Sequence, residues 1–288
     1  MNIDWSTDLY CLIGHPISKS LSPKIHNYIF SENKTNGIYL CFDIKEKSLG
    51  TVISSFKALN IKGFNVTIPY KIEIMKYLDD IDKEAEMLGA VNTVKNFNGR
   101  LIGYNTDGIG FVKSLKDSGI EITNKTFLIL GAGGASSAIS TRLAIEGAKK
   151  IIILNRDLDK AKKIACKIED NFRNVLVNYG PYNFIDFNFD EVNIVVNCTP
   201  VGMYPNIDSV PIDLNLFRKK VLVYDVVYKP LKTKFLKIAK DKGFATISGI
   251  SMLINQAIAS QQIWFEENNF KFDKMGEKLE GFLYKDVE

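Results

Sequence analysis

Gly131-Ala132-Gly133-Gly134-Ala135-Ser136 follows the apolar run Phe127-Leu128-Ile129-Leu130 and opens a stretch with helical spacing that reaches Glu146. The run before it has the length and unbroken apolarity of a strand buried on both faces. Glycine at the first position allows a tight turn out of that strand, and glycine at the third lets backbone approach a pyrophosphate. The helix that follows presents free N–H groups and the positive end of its dipole to an anion. Ser136 stands where the usual Gly-x-Gly-x-x-Gly spacing has its last glycine. The glycines alone are therefore a weak signal; a strand before, a helix after and a second strand about twenty residues on carry the reading. The turn is expected to hold a dinucleotide.

Working outward, the same alternation continues. Apolar runs at 151–154, 194–197 and 221–226 read as strands, with a short one near 244–247. Helical spacing covers 158–169 and begins again near Leu231. Strand–helix alternation with continuous apolar strands predicts a parallel, doubly wound sheet. The segment 180–191, rich in Asn, Asp and aromatics, reads as loop. The first hundred residues differ. Short runs at 9–13, 38–44, 64–68, 90–95 and 101–104 alternate with helical stretches, one starting at Ser22-Pro23. Asn96-Phe97-Asn98-Gly99-Arg100 is a hairpin turn signal and predicts one antiparallel pair. The expected architecture is α/β throughout. A mixed-sheet domain spans 1–106 and a doubly wound domain spans 107–249. Two closing helices, 252–267 and 273–283, are expected to pack back on the first domain within 250–288.

The chain has 288 residues, with 37 basic and 33 acidic side chains for a formal charge of +4. Charged residues at 24% and hydrophobic ones at 46% exclude disorder as the main state. No apolar run approaches the roughly 18 residues of a membrane span. The segment Met1 to Tyr10 carries Asp4 and Asp8 without a basic flank, unlike a signal peptide. Cys11, Cys41, Cys166 and Cys198 are scattered, which fits reduced thiols in a cytoplasmic protein and no metal site. The basic stretch from Arg218 to Lys242 interleaves with Phe235, Leu236 and Ala239 at helical spacing, so it reads as a solvated helix face. Neither nucleic acid nor membrane is expected as a partner.

Cofactor preference is written after the second strand. A carboxylate there would serve the ribose 2′-hydroxyl of NAD; the chain has Asn155-Arg156. A guanidinium can bind a 2′-phosphate with two hydrogen bonds, and Lys160 adds positive charge one turn on. Asp157 leaves NAD possible, but NADP is favoured. For proton chemistry the two histidines, His15 and His26, form no Ser-His-Asp grouping, so Lys, Tyr, Cys or a carboxylate must serve. Polar groups concentrate in Asn65-Val66-Thr67-Ile68-Pro69-Tyr70-Lys71, in Ala90-Val91-Asn92-Thr93 and in Tyr104-Asn105-Thr106-Asp107-Gly108. Lys71 would sit at a helix start, where the dipole disfavours a cation unless a carboxylate is near. Asp107 is also a good helix N-cap.

These segments resemble the shikimate dehydrogenase family. The matching stretches are Gly14 to Pro23, Gly63 to Lys71, Gly89 to Thr93, Asn105 to Gly108, Gly131 to Ser136, Asn155-Arg156, Asn197 to Met203, Tyr224 to Tyr228 and Gly249 to Gln256. They occur in family order over nearly the whole chain. The resemblance implies NADPH-dependent, reversible reduction of 3-dehydroshikimate to shikimate in aromatic amino-acid biosynthesis. It implies a substrate-binding domain and a Rossmann-type NADP-binding domain with a cleft between them, working as monomer or homodimer. Lys71 and Asp107 would be the catalytic pair. Ser20, Ser22, Asn65, Thr67, Asn92, Tyr228 and Gln256 would join them in holding the substrate. Gly131, Ala132, Gly133, Gly134, Ala135, Asn155, Arg156, Lys160, Thr199, Val226, Gly249 and Met252 would hold the cofactor.

The chain departs from the family pattern at Lys19, Asp157, Ser251 and Asn255, the last two beside Gln256. A quinate or aminoshikimate dehydrogenase, with NAD or dual cofactor use, is therefore the alternative within the family. A non-catalytic dinucleotide-binding regulatory protein is the alternative outside it.

Overall fold

The structure, a computed structural model, describes residues 3–45, 48–182, 188–265, 272 and 274–287, for the last four of these the backbone only. It divides into two compact units: Met1–Thr106 with Gln256–Gly281, and Asp107–Asn255 with Phe282–Glu288. Against the expected boundary after 249, Ile250–Asn255 and Phe282–Glu288 count with the second unit.

The first unit carries β1 (Asp8–Gly14), α1 (Ser22–Glu32), β2 (Gly37–Asp43), α2 (Leu49–Ala58) and β3 (Gly63–Val66). It continues with β4 (Asp80–Ile81), α3 (Lys83–Leu88), β5 (Thr93–Phe97) and β6 (Arg100–Tyr104). Its sheet is mixed, in the order β2-β1-β3-β5-β6-β4. β1 pairs parallel with β2 and β3, while β3–β5 and β5–β6 are antiparallel. The expected hairpin is β5–β6, and Asn98 and Gly99 both take positive φ, as a tight two-residue hairpin turn demands. Successive side chains of β1 go to opposite faces. Cys11 and Ile13 pack with Phe64, Val66 and Val94; Tyr10 and Leu12 pack with Phe30, Tyr39 and Trp264. The strand expected at 64–68 ends at Val66: the chain turns from Thr67, whose carbonyl accepts from Tyr70 N at 3.0 Å, while Ile68 O still accepts from His15 N at 2.9 Å.

The second unit carries α4 (Asp107–Asp117), β7 (Thr126–Leu130), α5 (Gly134–Ile145), β8 (Lys150–Leu154), α6 (Leu158–Asn171) and β9 (Leu176–Gly180). Then come β10 (Ile194–Asn197), β11 (Leu222–Asp225), α7 (Lys234–Asp241) and β12 (Ala245–Ser248). Helix α8 (Gly249–Trp264) continues from the second unit into the first, and α9 (Met275–Val287) closes the chain. The expected helix ends at 267 and 273 lie outside the described residues. The sheet order is β12-β11-β10-β7-β8-β9, all parallel. Counted within this sheet, that is the 3-2-1-4-5-6 order of a dinucleotide-binding fold, reversing direction between β7 and β10. Phe127 and Ile129 pack on one face with Ile139, Ile153 and Ile164; Leu128 and Leu130 pack on the other with Val195, Val223 and Phe235. Core on both faces is why these strands read as unbroken apolar runs.

Several elements differ from the sequence pattern: β4 was not expected, β5 covers 93–97 rather than 90–95, and α8 starts at Gly249 rather than Met252. β9 was not expected: it is the edge strand, paired only to β8, and its exposed Leu176, Asn178 and Tyr179 blur the alternation. α7 starts at Lys234 rather than near Leu231, because the Thr233 hydroxyl caps it by accepting from Leu236 N at 3.3 Å. Of the expected loop at 180–191, residues 183–187 lie outside the described residues. Among the described residues, no helix is long and apolar enough to cross a membrane.

Candidate active site

In the first unit, Ser22 is the first residue of α1 and is buried, with Pro23 beside it in the first turn. Ser20 Oγ donates to Ser22 Oγ at 3.1 Å and accepts from Ser22 N at 3.2 Å. Asn65, on β3, is buried; its Oδ1 accepts from the Tyr39 hydroxyl at 2.7 Å. Its Nδ2 lies 3.0–3.1 Å from Thr93 Oγ1, the Asn92 carbonyl and Ser260 Oγ. Asn92 Oδ1 accepts from Thr106 N and from Thr93 Oγ1, both at 2.8 Å, and Asn92 Nδ2 donates to Thr106 Oγ1 at 3.0 Å. Thr106 Oγ1 in turn reaches Gln256 Oε1 at 3.4 Å. The Ser22 side chain also hydrogen-bonds to the Tyr39 hydroxyl, so five of the side chains expected to hold substrate, Ser20, Ser22, Asn65, Asn92 and Gln256, join one hydrogen-bonded set. Its links Tyr39, Thr93, Thr106 and Ser260 were not among the expected site residues.

Thr67, just past β3, and Lys71 are half-buried. Lys71 lies in a turn two residues before the 3-10 helix Glu73–Tyr77 rather than at a helix start, and its carbonyl accepts from Val91 N at 2.7 Å. Neither histidine has the setting of a proton-transfer group. His15 pairs with Asp43 at 2.5 Å on the surface. Burial holds His26 uncharged, its pKa pushed down to about 3.

In the second unit, a pocket of about 480 Å³ opens beside the topological reversal, past the C-terminal ends of β7, β8 and β10. Gly131, Ala132 and Gly133 line it from the first turn, Asn155, Arg156, Asp157 and Lys160 from the second, and Cys198, Thr199, Pro200 and Val201 from the third. Tyr182, Val210 and Pro211 complete it; these three, with Asp157, Cys198, Pro200 and Val201, are absent from the expected cofactor residues. Gly131 has φ +101, and a Cβ there would lie 2.9 Å from Thr199 Cγ2, so only glycine fits. A Cβ on Gly133 or Gly134 would meet nothing within 4 Å. That space, at the N-terminus of α5, is what a pyrophosphate needs.

The cation and carboxylate after β8 differ in what they do. Arg156 is exposed and joins no ion pair among the described residues. Asp157 caps α6: its Oδ1 accepts from Lys160 N at 3.2 Å, and Lys160 Nζ lies 3.5 Å from Oδ2. The Lys160 backbone hydrogen bond, with the Lys160 charge, holds the Asp157 carboxyl below the usual range. The pocket carries residue types that could hold NADP: a glycine turn suited to a pyrophosphate and, in Arg156, a guanidinium suited to a 2′-phosphate.

Other expected positions lie elsewhere. Gly134, Ala135, Val226, Gly249 and Met252 do not line this pocket. Val226, Gly249 and Met252 gather at the ends of β11 and β12. A Cβ on Gly249 would overlap the Val226 carbonyl, and Met252 is buried in the core beside Val226. Asp225 anchors this end of the sheet. It accepts from Asn197 Nδ2 at 2.9 Å, Val227 N at 3.0 Å and Thr233 Oγ1 at 2.6 Å. Burial pushes its carboxyl up to about 6 against these bonds. Asn197 Oδ1 accepts from Thr199 N and Oγ1, which ties Asp225 to the pocket wall. Tyr228, half-buried, follows that anchor, and burial raises its phenol. Asp107 is the first residue of α4. Asn255 donates to Asp117 Oδ2 at 3.3 Å.

Comparison with known proteins gives a consistent set. Residues 12–94 match the family profile described as shikimate dehydrogenase substrate binding domain, and residues 113–203 match shikimate / quinate 5-dehydrogenase. The shikimate dehydrogenase (NADP(+)) of Caldanaerobacter subterraneus subsp. tengcongensis is 43% identical over 278 residues, 96% of this chain and 99% of that protein. A crystal structure of a shikimate dehydrogenase in complex with NADP+ superposes with a TM-score of 0.91 at 40% identity, covering 100% of this chain and 98% of the other. Shikimate 5-dehydrogenase from Listeria monocytogenes, in complex with shikimate and NAD, gives 0.90 at 36% identity over 97% and 98%.

Proposed function

The chain belongs to the shikimate dehydrogenase family, and from that premise we propose that it reduces 3-dehydroshikimate reversibly to shikimate with NADPH, in chorismate biosynthesis. The observation that carries the reading is the hydrogen-bonded set of Ser20, Ser22, Asn65, Asn92 and Gln256 in the first unit. A small, oxygen-rich acid needs several short directional partners, and a site built from them rejects analogues that leave its buried polar groups unpaired.

Each residue has a role in this reading. Ser20 and Ser22 hold the substrate carboxylate, while Asn65, Thr67, Asn92, Tyr228 and Gln256 hold its hydroxyls. Bound NADPH supplies the hydride that reaches the ring carbonyl carbon. Lys71 gives a proton from Nζ to the carbonyl oxygen as it becomes an alkoxide, and takes that proton back in the oxidative direction. Asp107 is the second member of the catalytic pair in this reading. Arg156 and Lys160 bind the 2′-phosphate, and the turn at Gly131 to Ala135 binds the pyrophosphate. The enzyme works in the cytoplasm, as monomer or homodimer, in keeping with four free cysteines.

Initial rates at the reduced-nicotinamide absorbance band test the reading, with shikimate and quinate each offered with NADP and with NAD. Shikimate with NADP is expected to lead. A lead for quinate or NAD, or no rate in any combination, would overturn it.

A further inference from the structure

Tyr39 stands behind the proposed substrate ligands without being one of them. It lies on β2 and is fully buried. Its hydroxyl donates to Asn65 Oδ1 at 2.7 Å and accepts the hydroxyl hydrogen of Ser22. The Asn65 amide has only one workable orientation. The Asn92 carbonyl, 3.1 Å from Nδ2, can only accept, so Nδ2 faces Asn92 and Oδ1 faces Tyr39. A phenol both donates and accepts, which lets one group join a serine hydroxyl to an amide oxygen.

The ring and backbone of Tyr39 are fixed as firmly as its hydroxyl. His26 stacks on the ring with centroids 4.2 Å apart and planes 11° from parallel. β2 is an edge strand, and the outward backbone groups of Tyr39 are closed by one side chain. Asn27 Oδ1 accepts from Tyr39 N, and Asn27 Nδ2 donates to Tyr39 O, both at 2.9 Å. A hydroxyl held this way has little freedom to follow its partners, so its partners must follow it.

We propose that Tyr39 is a positioning residue for the reaction: its hydroxyl fixes Ser22 and Asn65 relative to each other, so that the carboxylate and a ring hydroxyl of the substrate meet prealigned partners. The inference rests on the function proposed above. Pre-organisation of this kind lowers the ordering cost of binding and acts on substrate affinity rather than on cofactor affinity.

Tyr39→Phe keeps the stacked ring and deletes the hydroxyl. The KM for shikimate is expected to rise about fivefold or more, the scale of one buried hydrogen bond left half-made, while the KM for NADP stays within about twofold. A role in stability alone would lower Tm and leave the KM for shikimate unchanged in the folded enzyme. In the double variant with Ser22→Ala, the rise is expected to fall short of the product of the two single rises, because the two changes break one link. Asn27→Ala, which loosens the strand at Tyr39 and keeps the hydroxyl, provides a second variant should the first not fold. It is expected to raise the same KM by a smaller factor. An unchanged KM for shikimate, a parallel rise in both KM values or a fully multiplicative double variant would overturn the positioning role. Absence of shikimate turnover in the wild-type chain would overturn the function itself, and the role with it.

Discussion

Asp157 Oδ1 accepts a hydrogen bond from the backbone N–H of Lys160 at 3.2 Å, so the carboxylate that follows Arg156 is committed to the start of α6. Its charge is met by the helix N-terminus and by Lys160 Nζ. The pocket edge that would face a 2′-phosphate thus keeps Arg156 as a cation that joins no ion pair among the described residues. Asp157→Asn retains a side chain able to cap and removes one negative charge. The ratio of kcat/KM for NADP over NAD is expected to rise about two- to fivefold, the scale of one exposed charge, with Tm nearly unchanged. A fall in that ratio would show that the Asp157 charge assists NADP.

Arg156 makes the complementary prediction. A guanidinium bound to phosphate is a charge-assisted contact that NADH does not have. Arg156→Ala should weaken NADPH about tenfold or more and leave NADH almost unaffected, as read by titration of each cofactor. An equal loss for both would place Arg156 elsewhere than at the 2′-phosphate.

His26 gives the fold a dependence on acid. Burial lowers its pKa to about 3, against 6.5 in the unfolded chain. Between those values the unfolded state binds the extra proton, so the contribution of His26 to stability is whole above about pH 6.5 and is lost as pH falls toward 3. Asp225, raised to about 6, acts with the opposite slope between roughly pH 4 and 6. The two are separated by comparing wild type with His26→Phe in urea unfolding. On going from pH 6.5 to 4.5, wild type should lose roughly 2–3 kcal/mol relative to the variant. A gap that does not move with pH would mean that His26 is not held neutral.

The second unit was legible because its chemistry is local. Ile151–Leu154 and Phe127–Leu130 announce strands buried on both faces, and the glycine turn sits between adjacent elements. The Asn98-Gly99 hairpin was legible for the same reason. β9 was not, because an edge strand is held by one neighbour and keeps half its side chains in solvent. The polar set behind the substrate ligands was hidden by distance along the chain: Ser260 reaches Asn65 from 195 positions away. Tyr39 reads as core from the sequence, since an aromatic in an apolar strand carries no sign of what its hydroxyl meets. Asn255 is the converse case. Beside Gln256 it reads as part of the pocket, yet its amide is bound to Asp117, 138 positions away. Tyr182, Val210 and Pro211 lie in irregular segments, where no periodicity marks a pocket wall.

The most direct test of the whole account is Lys71→Ala, assayed for shikimate oxidation with NADP beside the wild-type chain. Loss of the proton-transfer group should cut kcat by about 10²- to 10⁴-fold, while the KM for shikimate shifts by only a few fold. Turnover within a few fold of wild type would contradict Lys71 as the proton shuttle, and with it the mechanism proposed for this site.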